Sequence, residues 1–199
     1  MKRIVVAITG ATGSIYARRL VDILCNLDIK VHLVLSKHAM VVVSHELEPL
    51  SFKADAPLEH EVLRYFHGET IQFHHYEEFT APIASGSYRT DGMVICPCTA
   101  GTLGRIANGV TTNLLDRAAD VTLKERRRLI VVLRETPYSE VMIENMLKLT
   151  RAGGVILPAS PSFYHRPRDI KELVDSVIAR VLDHLELESD LDVRWGLET

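Results

Sequence analysis

Four ionisable residues near the middle of the chain have the types and spacing of a site that binds an anion and transfers a proton. Arg117 and Lys124 are seven residues apart, so on a helix they share one face and lie roughly 10 Å from each other. Arg134 and Glu135 directly follow the apolar run Leu129 to Leu133, which is typical of a buried strand. Ligands of open α/β sheets bind at the carboxyl ends of strands. We therefore expect the four groups to meet in one place, where the gathered cations favour a phosphorylated ligand.

A glycine-containing turn after the first predicted strand is a second candidate anion site. The segment Thr9-Gly10-Ala11-Thr12-Gly13-Ser14 precedes a predicted helix, where free backbone N–H groups and the helix dipole attract phosphate. It has neither the Gly-x-Gly-x-x-Gly dinucleotide fingerprint nor the glycine-lysine pair of a P-loop, so a mononucleotide fits better. Glycines also serve such turns for geometry alone, and this turn by itself does not decide between the two interpretations. Hydroxyls after the second and third strands, Ser36, Thr99 and Thr102, favour a phosphate or ribityl chain at the same sheet edge.

Alternating strands and helices position these residues. The apolar patterns predict strands at Ile4–Thr9, Val31–Leu35, Met93–Cys96, Leu129–Leu133 and Val155–Leu157. They predict helices at Ile15–Leu27, Lys37–Leu47, Thr111–Arg126, Glu140–Arg151 and Asp169–Leu185. This order indicates a single domain over residues 1–199, with a doubly wound parallel sheet in a three-layer α/β/α arrangement. Residues 49–84 break the pattern, and we interpret them as an irregular excursion with room for one helix.

Composition narrows the class of protein without naming its function. A chain of 199 residues with 47% hydrophobic content can bury a sizeable core. The net charge of −3, with both signs interspersed, gives no general reason to expect nucleic acid or an anionic membrane as partner. No apolar stretch approaches the ~20 residues of a membrane span, and Ile4–Ile8 is too short for the core of a signal peptide. We expect a soluble cytoplasmic protein.

The spacing of the cysteines and histidines does not predict a metal site. Cys25, Cys96 and Cys98 form a sparse, odd set that is typical of a reduced cytoplasmic protein, and Cys96-Pro97-Cys98 lacks zinc-ligand spacing. The histidines of the excursion also lack a regular metal spacing, and we interpret them as surface residues: His60, His67, His74 and His75.

A series of short motifs extends these observations over nearly the whole chain. In order they are Thr9-Gly10-Ala11-Thr12-Gly13, Ser36-Lys37, Ala84-Ser85-Gly86-Ser87, Met93-Val94-Ile95-Cys96-Pro97-Cys98, Asp116-Arg117-Ala118-Ala119-Asp120-Val121, Leu123-Lys124-Glu125-Arg126-Arg127, Arg134-Glu135-Thr136-Pro137, Glu144-Asn145-Met146-Leu147, Phe163-Tyr164-His165 and Arg194-Trp195. Taken together they closely resemble the UbiX-type flavin prenyltransferases. The resemblance implies a flavodoxin- or Rossmann-like sheet that binds reduced FMN and joins it to dimethylallyl phosphate. The product would be prenylated FMN, the cofactor of UbiD-type decarboxylases.

The resemblance also assigns residues to the two ligands. For FMN it implies Gly10, Ala11, Thr12, Ser36, Thr99, Ala100, Gly101, Thr102 and Arg134. For the dimethylallyl phosphate group it implies Ser85, Gly86, Arg117, Lys124, Tyr164 and Arg180, with Arg180 reaching inward from the edge of an apolar helix stripe. The chain has no Asp-Asp-x-x-Asp run to hold magnesium, so fixed cations would replace a metal as phosphate departs. Any one of these cations alone is more typical of a solvated or salt-bridged surface.

Catalytic roles follow from the same resemblance. Glu135 is the candidate for proton transfer, assisted by Glu46, while Lys124 acts on the phosphate. The alternative for Glu135 is an ion pair with a neighbouring arginine, Arg134 or Arg117, which would keep it ionised. Trp195 either presents a π face to an allylic cation or anchors an oligomer or core. Thr12 stands where many relatives have a serine thought to assist catalysis, so flavin binding should survive while its catalytic role stays open.

Partners and rival functions complete the expectations. The family forms large oligomers, so we expect a homododecamer with the site between subunits and a UbiD-type decarboxylase receiving the product. Ubiquinone synthesis and aromatic acid breakdown both remain open, as do the monophosphate and diphosphate donors. A flavoenzyme like phosphopantothenoylcysteine decarboxylase is one rival, but its active-site histidine falls near Ile83, where this chain has none. A non-catalytic FMN carrier or decarboxylase subunit is the other, and it would not need a second phosphate site.

Overall fold

Six parallel strands form one sheet in the computed structural model, which describes residues 1–47, 62, 64–66, 68–189 and 191. The strands are β1 (Arg3–Ile8), β2 (Lys30–Leu35), β3 (Ile71–His74), β4 (Gly92–Cys98), β5 (Leu129–Leu133) and β6 (Val155–Pro158). Their spatial order is β3-β2-β1-β4-β5-β6, and every neighbouring pair is parallel. The chain winds outward in both directions from β1 and β4, so a crevice opens where the carboxyl ends of these two strands diverge.

Helices cover both faces of this sheet. Over the described residues they are α1 (Ser14–Asn26), α2 (Lys37–Glu46), α3 (Ala100–Ala107), α4 (Leu114–Lys124), α5 (Glu140–Arg151) and α6 (Ile170–His184), with a 3-10 turn at Pro82–Ala84. The helices from α2 to α6 each begin at a residue whose side chain accepts a hydrogen bond from the backbone N–H three positions on: Ser36, Thr99, Asn113, Ser139 and Asp169. These caps fix the residues at which the five helices start.

The core consists of two apolar layers, one on each side of the sheet. Alternate residues of β1 point to opposite faces: Ile4, Val6 and Ile8 pack with α1 and α6, while Val5 and Ala7 pack with α3 and α4. Strands buried on both faces read as continuous apolar runs, which is why β1 and β5 could be predicted from sequence. The predicted fold class, a doubly wound parallel sheet in three layers, is confirmed.

Two elements were not predicted. β3 lies inside the segment interpreted as an irregular excursion, because four residues are too few for a clear period. Its last residue, His74, is 2% exposed, so the interpretation of this histidine as a surface residue is wrong. α3 was missed because two glycines, Gly101 and Gly104, lower its helix propensity. Residues 49–61, His60 and His67 lie outside the described residues.

Candidate functional site

Thr9 ties together the two strands that form the crevice. Its hydroxyl donates a hydrogen bond to the Pro97 carbonyl oxygen (2.8 Å) and accepts one from the Thr99 N–H (2.9 Å). Its own N–H also donates to the Pro97 oxygen, at 3.2 Å. Buried bonds of this kind hold the turn after β1 and the turn after β4 in fixed register. The crevice is therefore a preformed feature of the fold.

A cavity of about 440 Å³ occupies this crevice. It is lined by Thr9, Gly10, Ser36, Lys37, His38, Tyr76, Glu77, Thr99, Thr102, Arg105, Thr112 and Asn113. Four residues of the predicted flavin set, Gly10, Ser36, Thr99 and Thr102, thus lie on one cavity, and Ala100 and Gly101 form the first turn of α3 beside it. Hydroxyls, cations and a helix start suit the phosphate and ribityl parts of a flavin nucleotide. The arrangement fits FMN.

In the turn before α1, a carboxylate lies where the sequence predicted a phosphate. The Glu46 carboxylate accepts hydrogen bonds from the Thr12 hydroxyl, from the Gly13 N–H (2.9 Å) and from the Ser14 N–H (2.7 Å). The expectation that this turn offers free N–H groups to a phosphate is therefore wrong for Gly13 and Ser14, because a carboxylate already supplies the negative charge that the start of α1 attracts. Ala11 is buried in the same turn.

The same contacts set the ionisation of Glu46. Burial opposes its ionisation, but hydrogen bonds from Thr12, Ser14 and Gly13 outweigh burial and hold the pKa of Glu46 below its usual 4.5. The direct hydrogen bond between Thr12 and Glu46 was not predicted, since Glu46 was expected only to assist Glu135. An ionised Glu46 can accept the Thr12 proton, so this pair can serve in proton transfer.

Arg134 and Glu135 lie at the same edge of the sheet, beside a smaller cavity of about 360 Å³. Both are partly buried, the Arg134 N–H donates to the Cys98 carbonyl oxygen (3.0 Å), and Glu135 accepts from the Thr136 N–H (3.1 Å). Within the described residues, Glu135 forms no ion pair with either arginine proposed as its alternative partner. The Glu135 carboxylate lies at the carboxyl ends of β5 and β6, where it lines this cavity.

A second polar cluster, which we call the α4 cluster, consists of Ser85, Gly86, Arg117 and Lys124. Arg117 Nε donates to the Ala84 carbonyl oxygen (3.1 Å), and a Cβ added at Gly86 would lie 2.9 Å from Lys124 Nζ. Arg117 also pairs with Asp120 (2.8 Å) and Lys124 with Glu125 (2.7 Å). Four of the six residues predicted for the donor phosphate are therefore neighbours.

Lys124 of the α4 cluster and Glu135 lie at opposite edges of the sheet. α4 begins beside the carboxyl end of β3, where the Leu114 N–H donates to the Tyr76 carbonyl oxygen (2.7 Å). It ends at Lys124, just before Arg128, whose carbonyl oxygen accepts from the Met93 N–H (2.8 Å) near the amino end of β4. The expectation that four ionisable groups meet in one place is wrong within one chain, because α4 runs antiparallel to the strands and its length carries Lys124 across the sheet.

The remaining predicted residues lie on other elements. Tyr164 is 81% exposed in the loop between β6 and α6. Arg180 is exposed on α6 and pairs with Asp183 (2.9 Å), so the expectation that it reaches inward is wrong for the single chain. Trp195 lies outside the described residues.

Sequence reasoning missed several cavity residues. Lys37 and His38 begin α2, and a Cβ added at Gly10 would lie 2.7 Å from His38 Cβ, so this glycine is needed for close packing. Tyr76 follows the unpredicted β3, and Arg105 lies in the unpredicted α3. A cation placed shortly after the Thr99 turn was the one available signal for Arg105.

Two further findings concern the described part of the chain. None of its helices is both long and apolar enough to cross a membrane. No group of three or more histidine, cysteine, aspartate or glutamate side chains in it could hold a metal ion.

Comparisons with known proteins agree with this geometry. The Flavoprotein family model matches residues 1–182. The flavin prenyltransferase UbiX of Alkalihalophilus pseudofirmus is 46% identical over 195 residues, which cover 98% of this chain and 96% of that relative. The crystal structure of AnUbiX (PadA1) in complex with FMN and dimethylallyl pyrophosphate has a TM-score of 0.87 at 39% identity and covers 100% of this chain and 99% of its own. The crystal structure of a dodecameric FMN-dependent UbiX-like decarboxylase from Escherichia coli O157:H7 has a TM-score of 0.85 at 37% identity. The match covers 98% of this chain and 99% of that chain. The chain belongs to the UbiX family of flavin prenyltransferases.

Proposed function

We propose that this chain joins reduced FMN to dimethylallyl phosphate and releases prenylated FMN, without a metal ion. One observation carries the proposal: the described chain has two separate polar sites. The first is the cavity in the crevice between β1 and β4, which we call the switch-point cavity, and the second is the α4 cluster. A flavin carrier needs only the first of these. The second places two cations beside a glycine and a serine, the residue types that hold a transferring phosphate.

The cations have a specific task in this proposal. Carbon–oxygen cleavage in dimethylallyl phosphate leaves negative charge on the phosphate, and Arg117 and Lys124 would stabilise that charge as it develops. At Gly86 no side chain stands between the backbone and the Lys124 amine. The Ser85 hydroxyl, 2.9 Å from that of Ser87, can donate to the same phosphate.

Proton transfer falls to residues at the other edge. The flavin supplies the nucleophile, and ring closure requires a proton acceptor and donor nearby. Glu135 is our candidate, with Glu46 acting through the Thr12 hydroxyl. Arg134, half-buried beside Glu135, would hold the flavin near this pair.

We propose that a complete site forms between subunits of a homododecamer. Lys124 and Glu135 lie at opposite edges of one sheet, so a neighbouring copy must supply one of them to the site of the other. The exposed Tyr164 and Arg180 would come from a further surface of the assembly. The dodecameric state of the Escherichia coli structure supports this arrangement.

The cellular setting is also a proposal. We propose a cytoplasmic protein whose product passes to a UbiD-type decarboxylase, in ubiquinone synthesis or aromatic acid breakdown. Three unpaired cysteines, Cys25, Cys96 and Cys98, support a reducing compartment. The decarboxylase rival has less support, because Ile83, the position expected for its histidine, is a buried apolar residue.

The test is anaerobic incubation of the purified protein with reduced FMN and dimethylallyl phosphate in the presence of a chelator, followed by mass analysis of the flavin. We expect a flavin heavier by one C5 prenyl unit. Lys124→Ala should lower the rate about 100- to 1,000-fold. Lys148→Ala, which removes an exposed lysine of α5, should not. Unchanged flavin with both the monophosphate and the diphosphate would reject the proposal in favour of a carrier or decarboxylase.

A further inference from the structure

Arg105 projects from α3 to the switch-point cavity but is absent from the flavin set expected from the sequence. Its guanidinium makes a fork with Asp116: Nε donates to Oδ2 at 2.8 Å and Nη2 donates to Oδ1 at 3.2 Å. Nη2 also donates to the Thr102 hydroxyl at 3.1 Å. Three N–H groups therefore fix the plane of the guanidinium.

Asp116 is itself held rigidly. It is 1% exposed and accepts two further hydrogen bonds from Thr112, from the N–H at 3.2 Å and the hydroxyl at 2.7 Å. Its N–H donates to the Asn113 side chain at 2.9 Å, which caps α4. A buried carboxylate with this many donors can orient a cation without itself facing the cavity.

The fork leaves part of Arg105 available to a ligand. A guanidinium has five N–H donors, and the two on Nη1 have no acceptor among the described residues. Nη1 lies 3.9 Å from the position of a Cβ added at Gly101, in the first turn of α3. The Arg105 side chain is 33% exposed, and the cavity it lines also contains the side chains of Ser36, Lys37 and Thr102. Among the described residues, Glu77 is the one carboxylate that lines this cavity.

We propose that Arg105, oriented by Asp116, binds the phosphate of FMN through Nη1 and thereby makes the site prefer FMN to riboflavin. This inference rests on the proposed function for the identity of the flavin. A phosphate dianion needs several donors and a fixed cation, and Arg105, the Ser36 hydroxyl and the residues that start α3, Thr99 and Thr102, all line this one cavity. Lys37 adds a second cation to the lining of the same cavity.

Binding of oxidised FMN and of riboflavin to Arg105→Gln tests the inference, with flavin fluorescence as the readout. We expect the Kd for FMN to rise about 10- to 100-fold, because a charge-assisted phosphate contact is lost, while the Kd for riboflavin stays within about twofold. An equal loss for both flavins would mean that Arg105 only supports the fold and would overturn the inference. Unchanged Kd values for both would overturn it too.

Arg19→Gln is the matched control. Arg19 makes the same kind of fork with a buried carboxylate, Asp175, at 2.5 and 3.1 Å, but it joins α1 to α6 outside the cavity. We expect this variant to leave the ratio of the two Kd values unchanged. A change in that ratio as large as in Arg105→Gln would overturn the inference, because loss of any such fork would then alter flavin preference.

A measurement on the wild-type protein covers the case in which Arg105→Gln does not fold. Phenylglyoxal modifies accessible arginines, and peptide mass mapping locates the modified residue. FMN should protect Arg105 and riboflavin should not; equal protection by both would overturn the inference. Wild-type protein that binds neither flavin would instead reject the proposed function, so the two failures can be told apart.

Discussion

The Thr12 hydroxyl donates a hydrogen bond to the Glu46 carboxylate, which joins the turn before α1 to the last turn of α2. The same carboxylate accepts from the backbone N–H groups of Gly13 and Ser14. Glu46 therefore does for α1 what a capping side chain does for the other helices, from a different part of the chain. One ionised group stabilises the fold and orients a hydroxyl at the proposed site.

Glu46→Gln should make the free energy of unfolding depend less on pH in the acid range. The pKa of Glu46 is below its usual 4.5, so its contribution is fully present above that pH and is lost as pH falls through the lower, folded value. We expect the substitution to lower the free energy of unfolding by about 1 kcal/mol at pH 7, as the loss of a helix cap does. Urea unfolding at pH 7 and pH 4 should show this difference shrinking in acid. A constant difference would be evidence against the ionised cap, and Glu144→Gln on α5 is the control.

Thr12 should be replaceable by serine but not by valine. Serine keeps the hydroxyl that donates to Glu46, whereas valine keeps the shape and loses the donor. We expect Thr12→Ser to prenylate FMN within about twofold of the wild-type rate and Thr12→Val to be about 100-fold slower. FMN affinity should change little in either. Thr150→Val removes a hydroxyl bonded within α5 and serves as the control. Full activity in Thr12→Val would show that the hydroxyl takes no part in the mechanism.

Local pattern predicted the elements better than the site. The strand Leu129–Leu133 and the helix Glu140–Arg151 have the predicted bounds, because an apolar run and a capped amphipathic period are read from neighbouring residues. Helical spacing also predicted that Arg117 and Lys124 share one face of a helix, and both lie beside the short segment from Ala84 to Gly86. It could not show that Lys124 lies at the amino edge of the sheet, since that depends on where α4 packs.

Contacts between distant residues account for the other omissions. The Arg105 fork with Asp116 joins two helices, and one of these, α3, was not predicted. Glu46 reaches a turn more than thirty residues earlier, so no spacing rule could show that its carboxylate fills the start of α1. Both contacts depend on tertiary packing, which local sequence patterns do not show.

Mixing two inactive variants should restore activity if the site is shared between subunits. Lys124→Ala damages the α4 cluster and Glu135→Gln damages the opposite edge, so each homo-oligomer lacks one residue in every site. In mixed oligomers assembled at equal ratio, about a quarter of the sites would receive both intact residues from different subunits. We expect prenylation activity near that fraction of wild type after co-expression. Activity no higher than that of the separate variants would place both residues in a site formed by one chain.

Two buried histidines should make the protein sensitive to mild acid. His32 Nδ1 lies 2.9 Å from His74 Nε2, and the Tyr88 hydroxyl lies 2.9 Å from His32 Nε2. His32 and His74 are 0% and 2% exposed, so a proton added here would place charge in the core layer between β2 and α4. Burial, together with repulsion from His74, Lys30 and Arg3, lowers the pKa of His32 from 6.5 to about 4.

The direction of the pH effect follows because proton binding and unfolding are coupled. Between pH 6.5 and about 4 the unfolded chain binds a proton at His32 that the folded chain excludes, so stability falls as pH falls through this range. The slope contributed by His32 should approach about 1.4 kcal/mol per pH unit in the middle of the range. His32→Gln should lower the free energy of unfolding at pH 7.5 and flatten its dependence on pH between 6.5 and 4. His75→Gln, at a residue whose side chain is 42% exposed, should retain the wild-type slope. If His32→Gln retained it as well, the buried pair would not be the group that excludes the proton.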